Sequence, residues 1–180
     1  LPLGFSASGV AAGIKKKAGA PDVALVTSDR DCCAAAVFTT NKVQAAPVLR
    51  GLEQMKSHAG QIRAVLINAG CANACTGDDG LKNAADSALA VSTELHLSDP
   101  KQVFTMSTGV IGVQLPMEKL RAGVFSAAQA LSTDGFGAAS EAIMTTDTVA
   151  KTARAEKDDY SLTGMAKGSG MIHPNMATML

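Results

Sequence analysis

The residues best suited to chemistry stand at the end of the chain, in Lys167 to Leu180, KGSGMIHPNMATML. A threonine hydroxyl is a weak nucleophile, but a threonine whose preceding peptide bond has been broken carries its own base. The α-amine set free has a reference pKa of about 7.7–8.0 and can take the hydroxyl proton. Thr178, after Met176 and Ala177, is the candidate, and scission of the Ala177–Thr178 bond would activate it. His173 lies upstream, but a loop histidine before Pro174 has no defined orientation, and the amine already supplies a base. Lys167 precedes the glycines of KGSG instead of following them, so this is not a GxxxxGK[ST] phosphate loop. A lysine there suits a substrate carboxylate; the plainer reading is a surface lysine in a glycine-rich connector. Chain ends are usually polar and loosely held, whereas Ala-Thr-Met-Leu after a glycine-rich loop reads as an interruption, with more polypeptide expected beyond.

Other stretches have the composition of a site. Ser107 to Gly112, STGVIG, follows an apolar run, and a strand running into such a turn can expose consecutive backbone N–H groups of the kind that hold an oxyanion. Many ordinary turns share that pattern. Asn68 to Gly80, NAGCANACTGDDG, is dense in small residues that let backbones approach closely; it reads first as a tight strand-to-helix connection. Met144 to Thr148, MTTDT, reads equally well as a capping turn or as part of a site. Cys32, Cys33, Cys71 and Cys75 show neither CxxC nor zinc-ribbon spacing and read as buried free thiols in a reducing compartment. No metal site is expected.

The elements that must position these groups are those of one α/β domain. Sixteen basic and sixteen acidic residues cancel, which removes the global field that draws proteins to nucleic acid or anionic membranes. With 47% hydrophobic but 3% aromatic residues, the core must come from Ala, Val, Leu, Ile and Met, and the case for aromatic stacking platforms for bases is weak. No run reaches the roughly 18 apolar residues of a membrane span. The first residues lack a secretory signal's basic and apolar regions, although a chain starting on Leu1 leaves a removed leader open.

Asp22–Ser28 and Cys33–Thr39 read as strands of a hairpin about Asp29–Asp31, and Lys15-Lys16-Lys17 as a solvated loop. Arg63–Asn68, RAVLIN, is the clearest strand. Leu81–Leu97 reads as a helix with a stripe of Leu81, Ala84, Ala85, Ala88, Leu89, Ser92 and Leu95, with Asp78 and Asp79 before it and His96 as a cap at its far end. Gln102–Met106 follows as a strand, so strand, helix and strand suggest a crossover. Pro116–Leu131 and Ala138–Met144 read as helices, and Val149–Ala155 and Tyr160–Met165 as strands around a solvated turn.

The ending, STGVIG and the opening segments GFSASGVAAGIKK, PDVALVTSD and AAAVFTTN together resemble the ornithine acetyltransferase family, bifunctional glutamate N-acetyltransferases of arginine biosynthesis. The resemblance spans nearly the whole chain, which corresponds to about the first half of the family's precursor. It implies an α/β (α+β) fold, a mixed-sheet sandwich completed by a separate β chain. It implies self-cleavage at Ala177–Thr178, so that residues 1–177 form the α chain and residues 178–180 begin the β chain, in an α2β2 heterotetramer. The implied reaction moves the acetyl group of N-acetylornithine to glutamate through an acetyl-threonine on Thr178. Thr108 and Gly109 fall where the family stabilises the oxyanion, and Lys167 where it binds substrate. A substrate-contacting threonine falls in MTTDT, at Thr145 in preference to its neighbour. No cofactor is implied; some members also accept acetyl-coenzyme A as a co-substrate. The expected location is the cytoplasm, or an organelle matrix in a eukaryote. Two rivals remain: a self-processing amidohydrolase or aminopeptidase with an N-terminal nucleophile, and a non-catalytic scaffold half.

Overall fold

The computed structural model describes residues 1–168 and 179–180. In chain order the elements are β1 (Phe5–Val10), β2 (Val23–Cys32), α1 (Ala46–Ser57), β3 (Ile62–Cys71), α2 (Gly77–Glu94), β4 (Val103–Val110), α3 (Met117–Gln129), α4 (Phe136–Ala142), β5 (Lys151–Glu156) and β6 (Ser161–Ala166). The first four strands form one mixed sheet in the order β1-β2-β3-β4. β1–β2 and β2–β3 are antiparallel and β3–β4 is parallel. β5 and β6 form a separate two-stranded hairpin. A parallel pair needs a long connection, and α2 supplies it between β3 and β4.

The central strands are apolar on both faces because both faces are covered. Leu25, Ala64, Leu66 and Val103 meet Ala88 and Val91 of α2 and Leu120, Val124 and Ala127 of α3 on one side. Ala24 and Ile67 meet Ala139 and Ala142 of α4, with Ile143 and Ala7, on the other. The approach of α4 to β1 requires a bare backbone: a methyl group on Gly9 would stand 2.0 Å from the Ala138 carbonyl oxygen. Ala7 also exchanges two backbone hydrogen bonds with Ser132, at 2.9 and 3.0 Å. Helix α1 closes the outer edge of β4 with polar side chains. Arg50 donates to the Val103 and Pro100 carbonyls at 2.9 and 3.0 Å, and Gln54 Nε2 donates to the Val103 carbonyl at 3.1 Å. Those carbonyls would otherwise be costly to bury.

The mixed α/β sheet agrees with the expected fold, as does the strand–helix–strand crossover. Several local expectations differ. Residues 33–39 form no strand, because β1 and β3 already occupy both edges of β2; Asp29–Asp31 belongs to the frayed end of β2 instead of a hairpin turn. β1 and α1 were not anticipated. The buried stripe of α2 is Ala84, Ser87, Ala88, Val91 and Ser92, while Leu81, Ala85 and Leu89 face solvent. Small residues on that stripe bring α2 close to the sheet and to α3. His96 lies past the C-terminal cap Leu95, exposed, at a φ of 53°. Cys71 alone of the four cysteines is buried; all four are free thiols, and Cys33 and Cys75 are exposed. Among the described residues, no helix is long and apolar enough to cross a membrane, and no cluster of His, Cys, Asp or Glu could hold a metal.

Candidate active site

Parallel strands β3 and β4 end side by side, and their last residues build the site. Gly70 pairs with Gly109 across an irregular register, at φ of 113° and 133°. A methyl group on Gly109 would lie 2.3 Å from the Gly70 carbonyl carbon and 2.6 Å from the Cys71 nitrogen, so only glycine lets the backbones meet. Ser107 Oγ donates to Asn68 Oδ1 at 2.6 Å, and Asn68 Nδ2 donates to the Cys71 carbonyl at 2.8 Å, bracing the two ends. STGVIG is therefore strand through Val110, with the turn beginning only afterwards. Connection 72–76 is fixed by Asn73, whose side chain donates to the Gly80 carbonyl at 2.9 Å and accepts from Thr76 Oγ1 at 2.9 Å. It is the tight strand-to-helix link its composition suggested.

Lys167 reaches this strand end from beyond β6. Its ammonium donates to Thr108 Oγ1 at 3.0 Å, with the lysine 4% and the threonine 5% exposed. Because the hydroxyl oxygen is the acceptor, the Thr108 proton stays available for donation. Burial pulls the Lys167 pKa below its usual value; Asp147 pulls it back up and Lys151 pushes it down. The Lys167 backbone N–H donates to the Leu180 carbonyl at 3.1 Å.

Asp147, in MTTDT, is a hub with a buried side chain and not merely a turn former. Its carboxylate accepts from the Gly168 N–H at 3.0 Å, from the Thr145 N–H at 3.3 Å and from the Lys151 ammonium. Desolvation pushes the carboxyl pKa up, but those three donors outweigh it and hold the group down at about 2. Lys15 also departs from the solvated-loop expectation, which Lys16 and Lys17 meet. Asp22, 0% exposed, accepts from the backbone N–H groups of Ala12, Ile14 and Lys15 at 2.6, 2.6 and 2.9 Å. That nest turns Lys15 inward, where its ammonium donates to the Pro21 and Ala142 carbonyls. Burial lowers its pKa, Asp22 opposes that, and Lys167 adds to the lowering.

These groups open on a cavity of about 880 Å³. Thr108, Gly109, Thr145, Lys167 and Lys15 line it, together with Gly168, Met179 and Leu180 on either side of the last segment. The remaining wall is mostly apolar, including Val48, Val65, Phe104 and Met106, and Val110 and Ile111 at its mouth are half exposed. A cationic and hydroxyl-bearing end in an apolar wall suits an anionic, acylated small molecule. Four expected site residues thus share one cavity. Ala177, Thr178 and His173 lie outside the described residues. Lys15 on the wall, and Asp147, which holds Gly168 from behind it, are not among the expected site residues. A lysine triplet gives no hint which member turns inward, although Asp147 stood within a stretch that left a site open.

The ArgJ family model matches residues 6–180. The chain is 50% identical to the arginine biosynthesis bifunctional protein ArgJ of Caldanaerobacter subterraneus over 100% of this chain and 44% of that protein. It is also 50% identical to the mitochondrial ArgJ of Sordaria macrospora over 99% of this chain and 40% of that protein. The chain therefore spans less than half the length of these curated relatives. Among solved structures, ornithine acetyltransferase of Mycobacterium tuberculosis complexed with ornithine matches with a TM-score of 0.91 and 42% identity, over 99% of this chain and 94% of that one. ArgJ of Bacillus halodurans matches with a TM-score of 0.85 and 37% identity, over 99% of this chain and 92% of that one.

Proposed function

The chain belongs to the ArgJ family, and from that membership we propose that it is the α half of an acetyltransferase of arginine biosynthesis that cuts itself before Thr178. In the first stage the Thr178 hydroxyl attacks the Ala177 carbonyl. The peptide C–N bond breaks as the ester C–O bond forms, and water then hydrolyses the ester to leave two chains. In the second stage the Thr178 hydroxyl, its proton taken by the new α-amine, attacks the acetyl carbonyl of N-acetylornithine. The tetrahedral oxyanion is held by Thr108 and Gly109, ornithine leaves, and glutamate takes the acetyl group to give N-acetylglutamate. Lys167 and Thr145 hold the substrate, with the lysine on its carboxylate. Acetyl-coenzyme A is an additional acetyl donor, and no bound cofactor is required.

The observation that carries this reading is the buried Lys167–Thr108 hydrogen bond at the end of β4, beside Gly109 and facing the cavity. A cation on the hydroxyl oxygen leaves the proton free to donate and makes Thr108 a stronger donor toward developing negative charge. Division of the precursor is supported by coverage. The chain matches 94% of a solved ornithine acetyltransferase chain, but 44% of a curated relative's full length. The remaining polypeptide is the proposed β chain, in an α2β2 assembly, and the half-exposed Val110, Ile111 and Val113 offer it apolar surface. The cytoplasm is the proposed compartment, or the matrix of an organelle in a eukaryote, as the mitochondrial naming of fungal relatives suggests for such a source.

Intact-mass measurement of the full-length precursor beside its Thr178→Ala variant tests the reading. Two wild-type chains, the first ending at Ala177, and an uncut variant are expected, with N-acetylglutamate formed only by the wild type. Acetate as the product would instead indicate an amidohydrolase. A variant that still splits and transfers acetyl would remove Thr178 from the mechanism.

A further inference from the structure

The Asp147 carboxylate is 1% exposed, and its donors come from two places. Thr145 and Lys151 are local, in the turn between α4 and β5 and at the first residue of β5. The third donor is the Gly168 N–H, 21 residues away and 3.0 Å from Oδ1. Gly168 is the residue at which the chain leaves Lys167 toward the segment containing Ala177 and Thr178. Its φ of 134° turns the backbone in a way L side chains rarely allow. Lys167 itself is fixed at two further points, by its ammonium on Thr108 and by its N–H on the Leu180 carbonyl. Gly168, Met179 and Leu180 all line the cavity. Lys167, Gly168 and Leu180 are therefore tied to one another and to the wall that holds Thr108.

We propose that Asp147 is a positioning residue for self-processing: by holding the Gly168 amide it fixes the direction in which the cleavage segment leaves Lys167. The inference rests on the reading that the precursor cuts itself before Thr178. A buried carboxylate that stays ionised is suited to this task, because a charged acceptor grips a backbone N–H more strongly than a neutral one. A joint set this way acts on the reacting bond only through the segment's geometry, and a small misplacement of reacting atoms costs orders of magnitude in rate.

The test follows splitting of full-length precursor made by cell-free translation, by intact mass over time, with the unfolding midpoint of each variant measured in parallel. Asp147→Asn is expected to slow splitting of folded precursor about tenfold to a hundredfold, equivalent to about 1.4–2.7 kcal/mol. Lys151→Met removes the ion pair but leaves Gly168 held, and should split within about threefold of wild type. An Asp147→Asn precursor that folds and splits at the wild-type rate overturns the proposal. So does a Lys151→Met precursor slowed as much as Asp147→Asn, since charge pairing would then be the whole effect. Should Asp147→Asn fail to fold, Gly168→Ala disturbs the joint from its other side: splitting slowed tenfold or more upholds the proposal, and the wild-type rate overturns it. A wild type that stays whole removes the self-processing reading itself, and the inference with it.

Discussion

Replacing Thr108 by valine keeps the shape of a side chain that is 5% exposed and removes only its hydroxyl. Two consequences separate cleanly. The Lys167 ammonium loses an acceptor 3.0 Å away inside the protein; hydrogen bonds to charged groups contribute about 1.5–3 kcal/mol, so folding stability should fall by that order. In the proposed mechanism the oxyanion loses a donor that acts only when negative charge develops. Loss of one such donor in other enzymes lowers kcat by about 10²–10³, or roughly 2.7–4 kcal/mol. The expectation is therefore a hundredfold to thousandfold fall in kcat for acetyl transfer from N-acetylornithine to glutamate, with a smaller change in KM. The assay is steady-state formation of N-acetylglutamate by protein expressed from the full precursor gene, with splitting checked by mass. Thr108→Ser restores the hydroxyl without the methyl group and should recover most of the rate. A valine variant that splits normally and keeps kcat within threefold of wild type would refute the role of the side chain. The oxyanion would then depend on backbone donors alone.

Gly109→Ala should be far more damaging to the fold than its size suggests. A φ of 133° is sparsely populated for L side chains and costs about 1–3 kcal/mol, and the added methyl group must also force apart strands 2.3 Å from it, so a loss above about 3 kcal/mol is expected in urea unfolding. Gly19→Ala is the control, since Gly19, at a φ of 72°, has open space around it; it should lose only about 1–2 kcal/mol, the cost of the left-handed conformation. Asp147 gives a prediction in acid. Its folded pKa, about 2, lies below the ordinary 3.8, so its contribution is complete above that ordinary value and disappears as pH falls toward 2. After allowance for solvent screening the contribution is about 1–2 kcal/mol. Between pH 5 and pH 2.5 wild type should lose about two-thirds of that, roughly 1 kcal/mol, beyond what Asp147→Asn loses, and parallel losses would contradict the assignment.

The parts of the fold that were legible in the sequence are those where apolar pattern and burial coincide. RAVLIN, the helix after it and the run ending in STG announced the β3–α2–β4 crossover, and with it the strand end where Thr108 and Gly109 stand. β1 was hidden because FSASGV contains mostly small residues, and its burial comes from contact with α4 far along the chain. α1 was hidden because Pro47 and Gly51 dilute its helical signal, and because Arg50 and Gln54 meet the sheet edge through hydrogen bonds instead of apolar contact. The false strand at 33–39 shows that a suitable local run needs a free edge to pair with. At the site, the family resemblance singled out Lys167 and Thr108, which residue pattern alone left as a connector lysine and an ordinary turn, but not that each is the other's partner. The inward turn of Lys15 depends on the Asp22 nest, and the burial of Asp147 on an amide 21 residues later. Both are tertiary facts with no local periodicity.

The seat of β1 against α4 has a consequence for the order in which this molecule is made. Ala7 is buried with Ala139 and Ile143, and Gly9 lies under the Ala138 carbonyl. The amino-terminal strand thus meets its last neighbours only after residue 143 has left the ribosome. At about 5–20 residues per second that is a wait of roughly 7–27 s, during which one face of the nascent sheet stays wet. Lys167 and the residues after it emerge later still. The ribosome therefore delivers the bond proposed for cleavage only when the strand end carrying Thr108 can already be in place.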